Sequence, residues 1–232
     1  MAGRRSVREG SPRAVRPWGD EAVDYRCVAM RFARGGDCSS GDIALPERIA
    51  RAAPRRRAEW LAGRYCASEA LRLLTGLGSC PGMAPDRSPV WPEGVLGSIS
   101  HSGDVAIALA MPARAGRGVG VDIEKVLDQA EADEIAHEAM TTWECGHFAV
   151  EADPFPVTLA FSAKESLFKA LHPLLRLPMS FHDAELVAWD VQGNARLRLA
   201  EDLSPEFPTG REIPVRFTRF GDLLLTRVLI LD

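Results

Sequence analysis

The sequence lacks two features that would place it outside the soluble globular class. No run of 18 apolar residues occurs, so no membrane-spanning helix is expected. The five cysteines are odd in number and never form a C-x-x-C pair, which argues against both a disulfide framework and a zinc module. We therefore expect reduced thiols, a cytoplasmic location and no membrane partner.

A strong excess of either charge is also missing. The chain has 28 Lys and Arg against 32 Asp and Glu, for a net charge of -4, which argues against nucleic acid as a partner. Apolar residues make up 46% and charged residues 26%, values ordinary for a globular protein. A chain of 232 residues is long enough for one large domain or two small ones.

The N-terminal segment carries five arginines in its first 16 residues. No apolar stretch follows them, as a secretory signal would require. Glu9, Gly10 and Pro12 disfavour the amphipathic helix of a transit peptide. We expect residues 1–20 to form a flexible, solvated tail.

Apolar periodicity predicts two long helices, over residues 54–74 and 157–171, the second ended by Pro173. A Pro- and Gly-rich loop is expected over 76–97, and acidic, helix-prone sequence covers 128–149. Apolar runs predict strands at 95–100, 105–111, 119–123, 184–189, 195–199, 214–220 and 223–231. A helix followed by strands thus occurs twice, which indicates two halves, over 21–116 and 117–232.

Two acidic residues, Asp122 and Glu124, alternate with apolar residues on the predicted strand 119–123 and its extension. Because side chains alternate along a strand, both carboxylates point to the same face while Val121 and Ile123 point to the core. Such a pair can bind a cation, but an isolated D-x-E more often lies on a solvated strand face.

A third acid, Glu165, lies in the segment F-S-A-K-E-S-L-F-K at 161–169. Glu165 and Lys169 are four residues apart, so they share one face of a helix. Alone, they could be a surface ion pair worth about 0.3–0.5 kcal/mol.

The segment G-S-I-S-H-S-G at 97–103 places polar groups at the end of an apolar strand. Hydroxyls, backbone N–H groups and the His101 imidazole could bind a phosphate there. Taken alone, the segment is equally consistent with a turn histidine whose hydrogen bonds are satisfied.

These segments occur in a specific order along the chain. S-I-S-H-S-G, then G-V-D-I-E about 20 residues later, then F-S-A-K-E-S-L-F-K about 40 residues further, resemble the surfactin-type (Sfp-like) 4'-phosphopantetheinyl transferases. R-x-x-x-L-A-G-R-Y-C-A-S-E-A-L at 57–71 and P-x-R-S-P-V-W-P at 85–92 are similar to the subgroup that serves enterobactin-type siderophore synthesis.

The resemblance implies a fold and a reaction. The fold would be α/β (α+β), with two similar halves in a pseudo-twofold arrangement, each a small, mostly antiparallel sheet packed with helices. A monomer would bind coenzyme A and Mg²⁺ in the cleft between the halves. It would transfer 4'-phosphopantetheine to a serine of an acyl or peptidyl carrier protein and release adenosine 3',5'-bisphosphate.

The resemblance also implies a metal site, made by Asp122, Glu124 and Glu165. Oxygen-only ligands suit Mg²⁺ better than zinc. Two carboxylates about 4 Å apart repel by about 4 kcal/mol at an effective dielectric near 20, and a divalent cation reverses this cost. The catalytic residues would be Glu165, Glu124 and Lys169, and either glutamate could be the general base.

Further residues are implied to bind coenzyme A. Ser100 and His101 would contact its phosphates, Lys169 its diphosphate, and Arg57 and Arg64 the side that carries the adenosine 3'-phosphate. The full predicted set of coenzyme A ligands is Arg57, Arg64, Arg87, Ser100, His101, Lys164 and Lys169.

Two other functions are consistent with the same residues. One is a coenzyme A-binding module without transferase activity. The other is a metal-dependent phosphohydrolase that uses the three acids on a nucleotide.

Overall fold

The computed structural model describes residues 10–19, 23–33 and 43–231. The described residues form two compact units. The N-terminal unit contains residues 10–16, 23–33 and 43–115, and the C-terminal unit contains 17–19 and 116–231. Each unit is an antiparallel sheet packed with helices, so the predicted α+β class is confirmed.

The N-terminal unit contains a four-stranded antiparallel sheet of order β1-β2-β6-β5. Its elements are β1 (Arg13–Val15), β2 (Arg26–Arg31), α1 (Glu47–Ala50), α2 (Pro54–Thr75), β3 (Gly82–Met83), β4 (Pro89–Val90), β5 (Val95–Ser102) and β6 (Val105–Pro112). The short strands β3 and β4 pair separately from the main sheet.

Helix α2 packs on β6 and β2 through small side chains. Pro54 lies in its first turn, where the missing N–H costs nothing, and Gly76 ends it with a φ of 79°. The small buried residues let the helix lie close to the sheet. They are Ala58, Ala62, Cys66, Ala67 and Ala70.

The C-terminal unit contains a five-stranded antiparallel sheet of order β7-β11-β10-β9-β8. Its strands are β7 (Gly118–Lys125), β8 (Ala184–Trp189), β9 (Asn194–Leu199), β10 (Glu212–Phe220) and β11 (Leu223–Ile230). Its helices are α3 (Gln129–Ala139), α4 (Thr142–His147) and α5 (Phe155–Leu175).

Helix α5 packs across β7 and β11, and two glycines of β7 set how close it comes. A methyl group at Gly120 would overlap the carbonyl oxygen of Ser166, and one at Gly118 would overlap that of Ala170. Gly118, Gly120, Asp122 and Glu124 alternate along β7, so they point to the same side of the strand. The glycines therefore bring the helix against the face that carries the acids.

Several sequence predictions need correction. Residues 1–9 and 20 of the predicted tail lie outside the described residues. Arg13–Val15 is not an unstructured tail but a largely exposed strand that pairs with β2. Strand β2 was not predicted. Pro173 does not end α5, because in the last turn a proline removes only one backbone hydrogen bond.

Two further details differ from the sequence predictions. His101 and Ser102 belong to β5, and the turn that follows contains only Gly103 and Asp104, with Gly103 at a φ of 62°.

Within residues 10–19, 23–33 and 43–231, none of the helices combines the length and the apolar character needed to cross a membrane.

The contact at Gly120 generates a stability prediction. Replacing Gly120 by Ala should lower the free energy of unfolding by about 1–3 kcal/mol or more, because rigid backbone must move to admit the methyl group. Urea unfolding monitored by circular dichroism would measure it. Gly146→Ala is the control, since a methyl group there meets nothing within 4 Å and should be neutral or slightly stabilising. Equal urea midpoints for the two variants would contradict this account of the contact.

Candidate functional site

Asp122 lies in the interior of the C-terminal unit, with 2% of its side chain exposed. Its Oδ2 accepts a hydrogen bond from Ser162 Oγ at 2.8 Å, and its Oδ1 accepts one from Lys169 Nζ at 2.6 Å. Both donors are on α5. A solvated strand face is thereby excluded for Asp122.

Lys169 connects Asp122 to the third predicted acid. Its Nζ lies 3.8 Å from Glu165 Oε2, so one ammonium group is within 4 Å of a carboxylate on β7 and of another on α5. The shared helix face predicted for Glu165 and Lys169 is confirmed by this ion pair.

The environment of Glu165 favours its protonated form. Burial raises the pKa of the Glu165 carboxyl, the Lys169 ammonium opposes this, and the Asp122 carboxylate raises the pKa further. Two acids that interact in this way are stabilised by a shared cation. In the structure, Lys169 supplies that positive charge.

Glu124, two residues beyond Asp122 on the same side of β7, is half-buried and lies opposite Leu224 of β11. No group of three or more His, Cys, Asp and Glu side chains in the described ranges is close enough to hold a metal ion. Instead, Asp122 and Glu165 flank one ammonium group, and Glu124 follows Asp122 on the same side of β7. Carboxylate oxygens are ligands that suit a hard divalent cation, and the Lys169 ammonium occupies the position between Asp122 and Glu165 that such a cation would take.

Lys164, predicted to bind coenzyme A, is instead part of a buried ion pair. Its Nζ donates to Glu144 Oε2 at 2.7 Å and to the Ala139 carbonyl at 2.8 Å, and only 3% of its side chain is exposed. The prediction for Lys164 is wrong, because its ammonium group already has two acceptors in the interior. Removing either partner of such a pair costs about 3–5 kcal/mol.

Sequence reasoning missed Glu144, the partner of Lys164. Its carboxylate also accepts from the backbone N–H groups of Thr141 and Leu186. The signal was a T-x-x-E capping box that starts α4 at Thr141. A capping glutamate that also meets a buried lysine cannot be recognised from spacing alone.

The N-terminal unit contains a pocket of about 450 Å³ whose wall combines apolar and basic side chains. It lies among α1, α2, β5 and the segment that connects α2 to β5. Four arginines and one histidine border it, against a single acid, Glu59. The basic residues are Arg48, Arg56, Arg64, Arg87 and His101.

Arg64 is the most buried of these cations, with 4% exposure. Its Nη1 has no hydrogen-bond partner among the described residues, and its guanidinium lies over the Trp60 ring at 5.0 Å. Burial lowers the pKa of Arg64. A buried cation with an unsatisfied donor, on the wall of a pocket, is well suited to bind an anion.

Arg56 and His101 form a second basic pair at the pocket, with 2.9 Å between Nη1 and Nε2. Arg57, which the sequence predicts as a ligand of coenzyme A, does not line the pocket. Its Nη1 donates to the carbonyl oxygens of Ala50 and Ala52, near the end of α1. Successive residues of a helix point about 100° apart, so only one of the two arginines can face the pocket.

Of two more predicted phosphate ligands, Arg87 borders the pocket and Ser100 does not. Arg87 lies on the pocket wall, in a turn where its φ is 73°. Ser100 lies on the opposite side of β5 from Ile99 and His101, which line the pocket. Arg48, which sequence reasoning did not select, also borders the pocket.

Comparison with known families gives a match in each unit. Residues 45–111 match the family model described as the 4'-phosphopantetheinyl transferase N-terminal domain. Residues 118–217 match the model of the 4'-phosphopantetheinyl transferase superfamily.

Individual relatives agree with these matches. The chain is similar to enterobactin synthase component D of Escherichia coli O157:H7, with 38% identity over 70% of this chain and 78% of the relative. The Salmonella typhimurium protein of that name is 40% identical over 61% of this chain, a match that spans 59% of the relative's length. 4'-Phosphopantetheinyl transferase Svp of Streptomyces mobaraensis is 36% identical, over 65% of this chain and 62% of the relative.

Proposed function

Because the chain belongs to the 4'-phosphopantetheinyl transferase superfamily, we propose that it transfers 4'-phosphopantetheine from coenzyme A to a serine of an acyl or peptidyl carrier protein. Adenosine 3',5'-bisphosphate is the second product. The observation that carries the proposal is Arg64, a buried guanidinium with an unsatisfied donor on the wall of a basic pocket.

Coenzyme A binds through the N-terminal unit in this proposal. Its phosphates require several cations, and guanidinium groups bind phosphate oxygens in pairs. Arg64, Arg56 and Arg87 border one pocket with His101 and supply this charge. The adenosine 3'-phosphate side is the proposed occupant of that pocket.

Asp122, Glu124 and Glu165 of the C-terminal unit would hold Mg²⁺ in this proposal. When bound, the metal ion would neutralise the negative charge that develops on the leaving adenosine 3',5'-bisphosphate as the diphosphate bond of coenzyme A breaks. Lys169, which balances Asp122 and Glu165, would exchange Asp122 for the diphosphate of coenzyme A in the metal-bound state.

A glutamate accepts the proton of the carrier serine. Glu165 is one candidate, since its carboxylate lies beside the ion pair of Asp122 and Lys169. Glu124, on the same side of β7 as Asp122, is the other.

The carrier comes from siderophore or nonribosomal peptide assembly in this proposal. This choice of carrier is supported by the similarity to proteins named enterobactin synthase component D. We further propose a cytoplasmic monomer, because five cysteines without a C-x-x-C pair are typical of a chain with reduced thiols.

The proposed reaction predicts a defined mass change. An apo carrier protein incubated with coenzyme A, Mg²⁺ and this chain should gain one phosphopantetheine by mass spectrometry. Asp122→Ala should lower the rate at least about 100-fold, since a metal ligand is lost. Asp133→Ala, at an exposed acid on α3, is the control and should keep full activity.

Other outcomes would support the alternatives. Binding of coenzyme A without any mass gain, across several carriers, would indicate a binding module. Release of phosphate or of a cleaved nucleotide in the absence of a carrier would indicate a phosphohydrolase.

The pocket assignment predicts a defect confined to coenzyme A binding. Arg64→Met should raise the KM for coenzyme A at least about 10-fold with little change in kcat, because the variant loses the buried guanidinium that binds a phosphate of coenzyme A. It should also reduce the preference for coenzyme A over dephospho-coenzyme A, which lacks the 3'-phosphate. Arg55→Ala is the matched control, since Arg55 is exposed and pairs with Glu59. An unchanged KM in Arg64→Met would contradict the assignment.

A further inference from the structure

Three buried hydroxyl groups form a hydrogen-bonded chain behind Asp122. Ser166 Oγ lies 2.8 Å from Thr226 Oγ1, which lies 2.9 Å from Ser162 Oγ, which donates to Asp122 Oδ2 at 2.8 Å. None of the three residues is exposed to solvent. The chain runs from α5 to β11, returns to α5 and ends on β7.

The carboxylate at the end of the hydroxyl chain determines the direction in which the hydroxyl protons point. An ionised Asp122 can only accept, so the single Ser162 proton points to Oδ2. Ser162 Oγ can then only accept from Thr226 Oγ1, whose single proton is shared between Ser162 Oγ at 2.9 Å and the Ser162 carbonyl oxygen at 2.8 Å. Thr226 Oγ1 in turn accepts from Ser166 Oγ at 2.8 Å, which also lies 3.2 Å from the Thr226 carbonyl oxygen.

Asp122 thus has two oxygens in different surroundings. Oδ2 faces a hydroxyl chain that is completely buried, whereas Oδ1 faces the half-buried ammonium of Lys169. Consecutive hydrogen bonds in a dry interior polarise and strengthen one another. The carboxylate is therefore held on one oxygen and can exchange its cationic partner on the other.

We propose that Ser162, Thr226 and Ser166 are positioning residues, which fix Asp122 so that Oδ1 is presented to the cation. The inference rests on the proposed role of Asp122 as a metal ligand. The hydroxyl chain does not touch coenzyme A or the reacting serine in this scheme. It acts only through the Asp122 carboxylate.

The test measures metal binding, separately from transfer. Mn²⁺ is titrated into the full chain with saturating coenzyme A and no carrier, and free Mn²⁺ is followed by electron paramagnetic resonance. Ser162→Ala should weaken Mn²⁺ binding about 10-fold, the lower end for loss of a group that orients a ligand. Thr226→Val and Ser166→Ala should weaken it less, and Thr226→Ser, which keeps the hydroxyl, should stay within about 2-fold of the wild type.

Thr158→Val is the matched control. Thr158 is a buried threonine on α5 whose hydroxyl accepts from the backbone N–H of Leu127 and does not contact Asp122. This variant should lose some stability but keep the wild-type affinity for Mn²⁺. Circular dichroism and thermal melts establish that each variant is folded. If Ser162→Ala does not fold, Ser166→Ala and Thr226→Val keep the test valid, and wild-type affinity in both would overturn the positioning role.

The outcomes separate this inference from the proposed function. Wild-type affinity in a folded Ser162→Ala overturns the positioning role and leaves the metal site in place. Equal losses in Thr158→Val and Ser162→Ala also overturn it, because general loosening of the helix would then explain both. If the wild type has no saturable Mn²⁺ site that Asp122→Ala removes, the metal assignment fails and this inference fails with it.

Discussion

The close contact between α5 and β7 is the constraint on which the acidic site depends. Gly118 and Gly120 have no side chain, so the backbone of the helix can lie against the strand. Only at that distance can short side chains such as Ser162 reach Asp122. The glycines in G-V-G-V-D-I-E therefore serve packing, and through packing they set the surroundings of the acid that follows them.

The two units have complementary charge requirements. In the C-terminal unit two acids share one lysine, and in the N-terminal unit several arginines border a pocket with a single acid. The first arrangement is stabilised by an added cation and the second by an added anion. Coenzyme A with a divalent cation would supply both, so the charges of the two units agree with the proposed reaction.

Periodicity and motif order predicted much of the fold and part of the site. The long helices and most strands follow from apolar spacing. Asp122 and Glu165 lie within 4 Å of the Lys169 ammonium, and the meeting of Asp122, Glu124 and Glu165 around one metal ion stays a prediction. The predictions that fail for site residues concern the direction in which a side chain points. Lys164, Arg57 and Ser100 lie next to residues at the predicted sites but point elsewhere, and this depends on helix phase and on partners such as Glu144 that are remote in sequence. Short edge strands such as β1 gave no readable periodicity.

The most direct test of the central claim is anomalous diffraction from crystals grown with coenzyme A and Mn²⁺. The account predicts a manganese peak bound by the carboxylates of Asp122, Glu124 and Glu165, with the Lys169 ammonium moved off Asp122. A structure with coenzyme A bound, Lys169 still on Asp122 and no manganese beside these acids would contradict it.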